Sequence, residues 1–194
     1  WDQADGELTA SIALRKKLIG CIRAFAPDLI VTHRVADYHP DHRAAGQLVQ
    51  DSAYLLQVPS IAADFPAMHR MPAILLAFDR FQDPRPHRLD WVVDTKDHID
   101  TVLNMLACHQ TQVFEWLPKI MDMTVNADNK VGWLRKFYLA KPEAVAKAAK
   151  LAQTSDPSSE TADNADLAFA EAFEVSEYGG HFDPSDFNFV SKKN

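Results

Sequence analysis

The sequence predicts an α/β protein, a layered sheet with helices on both faces, and three observations carry that expectation. Short apolar runs occur at Asp28–His33, Ala73–Phe78 and Trp91–Asp94, the first rich in β-branched residues. Amphipathic helical patterns alternate with them over residues 9–25, 40–56 and 97–108, and such alternation is the signature of a layered sheet. Between the first run and the second helix lies Asp37-Tyr38-His39-Pro40-Asp41-His42-Arg43. In open α/β sheets this seam, past the end of a strand, is where ligands bind and catalytic groups sit.

Each element has its own justification. In the first helix Leu14, Leu18, Cys21, Ile22 and Phe25 share a face, Thr9 or Ser11 can cap the start, and Pro27 ends it. Asp28–His33 is short and continuously apolar, as suits a parallel strand buried on both faces. The second helix runs from about Pro40 to Leu56, with Ala45, Leu48, Val49, Ser52 and Leu56 as its buried stripe. Pro40 fits the first helical position, and Asp41 suits the positive end of the helix dipole. Ala73–Phe78 reads as another buried strand; the Asp83-Pro84-Arg85-Pro86 loop leads to a short strand at Trp91–Asp94 and a helix over 97–108. The segments 57–72 and 116–140 read as loops. Beyond residue 120 the pattern loosens into a helix over 142–153, a mobile loop at Thr154–Ser159, a return to the sheet within Leu167–Val175, and an irregular Gly179-Gly180 tail.

At 194 residues the chain is long enough for one core-bearing domain, and single-domain organisation over 1–194 is expected. A formal net charge of -7 argues against a nucleic-acid partner, since such proteins usually carry a basic face. The basic run Arg15-Lys16-Lys17 falls within a helical pattern and reads as a solvated face. No stretch approaches the roughly 20 apolar residues of a membrane span. No signal peptide is visible either, so a cytoplasmic location is expected. Cys21 and Cys108 lie far apart in helix-like segments, which implies reduced, packed thiols.

The chemistry concentrates in the Asp37–Arg43 turn. A catalytic zinc takes about three protein ligands plus an open position. His42, in the first helical turn, can point an imidazole into the crevice above the strand ends. His39 can ligate, donate a hydrogen bond to an oxyanion or move a proton. Asp41 can orient an imidazole by accepting its second N–H. The plainer reading is two loop histidines at an Asp/Pro-capped helix start, and on the residues alone both readings stand. Arg34, Asp37, Tyr38 and Arg43 flank the turn, where they can contact sugar hydroxyls or a phosphate. Solvated or salt-bridged roles compete for Arg34 and Arg43. His109 and Gln112 form a second polar cluster, with helix capping by His109 as its alternative. His33 reads as a structural histidine, His69, His87, His98 and His181 as surface residues, and Trp91, Trp116 and Trp133 as core or interface residues.

The span Pro27–His33 followed by Asp37–Gly46 resembles the second motif of the PIG-L/LmbE-like zinc-dependent N-deacetylases. Asp5-Gly6-Glu7-Leu8 resembles that family's segment before the preceding helix. Asp94 followed by His109-Gln110-Thr111-Gln112 resembles a later element, with Thr111 in place of Ser. Ala170-Glu171-Ala172-Phe173 resembles the late strand. The resemblance covers roughly 5–115 and 168–178, leaving 116–167 largely unmatched. It implies a Rossmann-like sheet, a Zn2+ cofactor and removal of an N-acetyl group from an amino sugar such as N-acetylglucosamine, or from a glycoconjugate. In that reading His42 is a zinc ligand, His39 stabilises the tetrahedral intermediate or protonates the leaving amine, and Asp41 holds an imidazole in its working tautomer. Two departures matter. The family's His-Pro-Asp-Asp motif, which supplies two metal ligands and the general base, is absent from these residues. Val102 stands near the place of the family's usual lysine. The resemblance therefore implies a domain incomplete at its N-terminus, with the first strand and its helix before Trp1. The alternative is a non-catalytic binding or accessory domain. On either view these residues alone are expected to bind zinc weakly and to turn over nothing; if the first strand is missing, the bared strand edge is expected to make them poorly soluble or self-associating, as a homo-oligomer.

Overall fold

The computed structural model describes residues 1–125, 127–155 and 166–187. Four strands, β1 (Leu29–Thr32), β2 (Ala73–Ala77), β3 (Trp91–Asp94) and β4 (Ala170–Val175), form one mixed sheet in the order β1-β2-β4-β3. The helices are α1 (Ile12–Phe25), α2 (Pro40–Ala53), α3 (Ile99–Ala107), α4 (Leu117–Ile120) and α5 (Lys130–Ser155). The α/β class is the one the sequence predicts. The chain divides into two compact units, Trp1–Asp90 with Phe173–Asn194, and Trp91–Ala172.

In the first unit Ser11 caps α1 by accepting from the Leu14 N–H at 3.2 Å. The helix stops at Ala26, whose φ of 49° is left-handed and whose N–H donates to the Ile22 carbonyl. β1 runs parallel to β2, from Leu29 opposite Ala73 to Thr32 opposite Leu76. β4 returns antiparallel to β2, with Leu76 opposite Glu174. Ile74 and Leu76 pack with Val49 and Ala53 of α2, against Leu18 and Ile30. Ile19, Ile22 and Leu56 form a second buried cluster.

Two expectations for this unit need correction, and a third, the irregular tail, holds with added detail. The buried face of α1 is Ile19, Ile22 and Arg23, while Cys21 and Phe25 are exposed. Arg23 lies in this face, turned inward onto the carbonyls of residues 55–65. β1 is not buried on both faces, since Val31 is 52 % exposed; among the described residues the strand stands at the end of the sheet order, with a strand neighbour on one side. The Gly179-Gly180 tail is bonded: Ser176 and Gly180 donate to the Ile74 and Pro72 carbonyls at 2.9 and 2.8 Å. A Cβ on Gly179 would sit 2.5 Å from the Ile74 nitrogen, so only glycine lets the tail lie this close to β2.

In the second unit Ile99, Leu103, Val113 and Leu134 form the core, with Phe114, Trp133 and Phe137 against them. Trp133 stacks on Phe137, whereas Trp116 is exposed. β3 falls where expected, and α3 begins after a tight turn at Lys96–His98. The expected loop at 116–140 is largely helical: a π-helical turn at Gln112–Trp116 runs into α4, and α5 starts at Lys130. α5 also passes through the buried Pro142, the residue at which the sequence suggested a start. Of the expected loop Thr154–Ser159, Thr154 and Ser155 close α5, and Asp156–Ser159 lie outside the described residues. Cys21 and Cys108 are unpaired as expected, but both are exposed rather than packed. Among the described residues no helix is long and apolar enough to cross a membrane.

Candidate active site

The seam between β1 and α2 is built by its own side chains. His39 is the N-cap of α2, with extended backbone, and its ring Nδ1 accepts the Asp41 N–H at 3.3 Å. Pro40 occupies the first helical position, where a missing N–H is harmless. With Nδ1 accepting, a neutral His39 carries its hydrogen on Nε2. That atom stands 4.0 Å from the carboxylate of Asp5, whose side chain is almost fully exposed.

Asp37 is the organising residue of the turn. It is buried, and its Oδ1 accepts from the His39 N–H and from the His42 ring Nδ1, each at 2.9 Å. A carboxylate only accepts, so the hydrogen sits on His42 Nδ1 and the lone pair on Nε2. Arg43 closes the turn by donating to the Asp37 carbonyl at 2.6 Å. Asp41 works elsewhere: its carboxylate accepts from the Gly6 and Leu8 N–H groups at 2.7 and 3.1 Å. The imidazole-orienting contact expected of Asp41 is thus made by Asp37, while Asp41 ties the segment before α1 to the start of α2.

Of the flanking residues, Tyr38 is exposed and edge-on to the His39 and His42 rings. Arg34, read from sequence as solvated or as facing substrate, is 5 % exposed. Its guanidinium donates twice to Asp79, at 2.6 and 2.5 Å, and to the Arg85 and Phe81 carbonyls at 3.0 Å. Burial is the largest single influence on Asp79 and opposes its ionisation, but the Arg34 hydrogen bonds, the Phe81 N–H and the Arg34 charge together hold the carboxyl below its usual range. A cleft of about 360 Å3 opens beside Val35 and Ala36, just before Asp37, and Arg34, Arg85 and Glu174 also line it. Burial likewise works against ionised Glu174, yet the Arg85 hydrogen bonds, the Arg88 N–H and the neighbouring charges bring its pKa down to about 2. His39 and His42 do not line this cleft. His109 and Gln112 are exposed residues of the second unit, the latter opening its π-helical turn.

Two features of the site escaped the sequence reading. Asp37 precedes His39 by two residues, the spacing at which an aspartate folds back onto the backbone, and that signal was available. His33 stacks flat on His42, with ring centroids 4.0 Å apart and 4° between planes; no local pattern announces this. His33, Asp37 and His42 have metal-competent atoms within 4.8 Å of one another, as do Asp5, His39 and Asp41. The chemistry of His42 fits a zinc ligand: Asp37 takes the Nδ1 hydrogen and leaves Nε2 free to coordinate, the usual arrangement of a metal-bound imidazole.

A mixed α/β sheet with a His-Pro-Asp-His turn at a strand–helix seam defines the class. Within it, residues 1–53 match the model of the PIG-L family, described as GlcNAc-PI de-N-acetylase, so the resemblance seen in the turn is borne out over that span. No curated protein sequence matches the chain. Among solved structures it is similar to the N,N'-diacetylchitobiose deacetylase of Pyrococcus horikoshii, at 18% identity and a TM-score of 0.60, covering 91% of this chain and 55% of that one. A conserved protein of Thermus thermophilus gives 19%, 0.59, 94% and 66%. The 4-carboxy-2-hydroxymuconate hydratase of Pseudomonas putida gives 13%, 0.54, 85% and 58%. These likenesses show the fold. The chain spans between about half and two thirds of the length of those structures.

Proposed function

We propose that the protein carrying residues 1–194 as part of one deacetylase domain is a zinc-dependent hydrolase that removes an N-acetyl group from an amino sugar or glycoconjugate. The observation that supports this most is His42, with Nδ1 engaged by Asp37 and Nε2 free, one helical turn from His39 in a PIG-L-like segment. In this reading His42 Nε2 is one zinc ligand, and zinc, when bound, supplies Lewis-acid activation of water and of the amide carbonyl. His39 presents Nε2–H to the oxygen of the acetamide as negative charge builds there, or passes that proton to the departing amine. Tyr38 is exposed beside both rings and offers a hydroxyl to a sugar. A cytoplasmic location belongs to the same reading, since both cysteines are unpaired, as suits a reducing compartment.

The test is acetate release from a panel of N-acetylated amino sugars by the protein in its full natural length, stripped of metal and reloaded with zinc. Acetate is expected from at least one sugar, and silence across the panel would sink the substrate assignment. A second reading, a binding domain that keeps the fold without turnover, is favoured by the absence of a His-Pro-Asp-Asp motif from these residues. It predicts that the protein in its full natural length binds an N-acetylated sugar but releases no acetate with zinc present, and measurable release would exclude it.

A further inference from the structure

His42 has a second support besides Asp37. We infer that His33 is a positioning residue that fixes the tilt of the His42 ring, and that Gly46 is what brings it there; this rests on the reading of His42 as a metal ligand. A hydrogen bond at Nδ1 decides which nitrogen keeps the lone pair, but hydrogen bonds tolerate wide angles, so one bond leaves the ring free to tilt. His33 closes that freedom. Its ring lies flat against the ring of His42, 4.0 Å away and within 4° of parallel. Tyr38 meets the same ring edge-on, at 5.3 Å and 79°.

The parallel planes also decide what His33 does. A metal ion lies in the plane of each imidazole that binds it, and two parallel planes at stacking distance share no point. His33 therefore braces His42 in this arrangement rather than sharing its ion, although the two rings and Asp37 are close enough to be taken for a ligand set.

Gly46 supplies the approach. It lies one helical turn beyond His42 on the same face of α2. A Cβ at Gly46 would fall 2.5 Å from the His33 carbonyl oxygen and 3.2 Å from the Arg34 carbonyl group. No other residue permits that contact without a backbone shift. Glycine within a helix is unfavourable relative to alanine, so helix formation does not account for its presence. Arg34 pins the following residue through Asp79. The chain leaving β1 is thus held on both sides, and its first side chain beyond the strand, His33, lands on the ring that has to stay still.

The experiment uses isotope-labelled, metal-free residues 1–194 at a pH where the imidazoles are neutral, with NMR reading the tautomer and the ring order parameter of His42. The wild-type ring should hold its hydrogen on Nδ1 and be as ordered as rigid backbone, about 0.85. His33→Ala should keep that tautomer while the order parameter falls below about 0.6, the flexible range. His33→Phe, which stacks without a titrating group, should restore order. Gly46→Ala should reproduce His33→Ala with every ring atom present, and Asp37→Asn should lose the single tautomer instead. Competition with a chromophoric chelator should show zinc held about tenfold less tightly by His33→Ala, as for other residues that orient a ligand. Unchanged ring order in folded His33→Ala would overturn the inference. If that variant does not fold, His33→Phe and His33→Leu decide it, because leucine fills space but cannot stack flat, and equal ring order in the two would also overturn it. Zinc affinity is read on the protein in its full natural length; if that protein takes no zinc, the ligand reading of His42 falls, while the ring-order result still decides the role of His33.

Discussion

The end of α1 and the end of β1 each bury an arginine, and the two regions satisfy it in opposite ways. Arg23 donates to the carbonyls of Leu55, Leu56, Val58, Ile61, Ala62 and Phe65 at 2.5 to 3.3 Å. All of these acceptors are backbone. Arg34 instead meets a carboxylate, Asp79, and adds two carbonyls. In the first region peptide dipoles solvate the charge, and the shape of segment 55–65 is the solvation shell. In the second a counter-charge does so, and the result is a strap between the end of β1 and the loop after β2. A carbonyl shell has no partner residue that can be mutated with the arginine; an ion pair has.

The largest effect that separates them is Arg23→Met. The Ile61 and Phe65 carbonyls then lose their donor, whereas those of Leu55, Leu56, Val58 and Ala62 keep a backbone N–H; at about 1–3 kcal/mol for each unpaired carbonyl, a loss of about 2–6 kcal/mol is expected, a large share of an ordinary domain's stability. Denaturant unfolding measures it, and a loss under about 1 kcal/mol would break the solvation-shell account. Next comes Arg34→Met, which strands Asp79 and should cost about 3–5 kcal/mol. The double replacement Arg34→Met with Asp79→Leu should recover most of this, because removing a whole buried pair is often near neutral. A double variant no more stable than the single one would place Arg34 closer to the Arg23 pattern.

The smallest effect is acid sensitivity. Asp79 and Glu174 both have folded pKa values below their ordinary ones, Glu174 at about 2 against 4.5. Their contribution is complete above the ordinary carboxylate values and is lost as pH falls through the folded ones, here between about pH 4.5 and 2. Glu174→Gln should flatten the stability profile in that window. The Arg23 shell contains no titrating acceptor, so it should contribute no slope there. An unchanged acid slope in Glu174→Gln would show that other groups dominate the window.

How much of this the sequence discloses depends on the range of the interactions. β2 and β3 were legible because short apolar runs between turn residues have few alternatives. The His39–His42 pair was legible from spacing alone. The buried face of α1 was misread because Arg23 counts as polar in any periodicity, and only segment 55–65, more than 30 residues away, makes it an inward residue. The expected helix begins at Pro142, well after α5 does: proline suits the first position of a helix, and only the packing of Trp133, Leu134 and Phe137 in the second unit's core makes the residues before it helical. Asp37 and Asp41 offer the same group within one turn, and helix-start geometry alone decides which one holds a ring and which holds the chain. His33 needed tertiary knowledge, since its partner is nine positions away across a strand–helix seam.

The exposed, unpaired Cys21 and Cys108 fall one in each compact unit. The chain therefore comes with a native pair of attachment points for thiol-specific spin labels or fluorophores, and it contains no other cysteine to confuse them. Distance distributions between those two labels, taken with and without zinc or a candidate sugar, turn any motion of one unit against the other into a spectroscopic observable without altering a single residue.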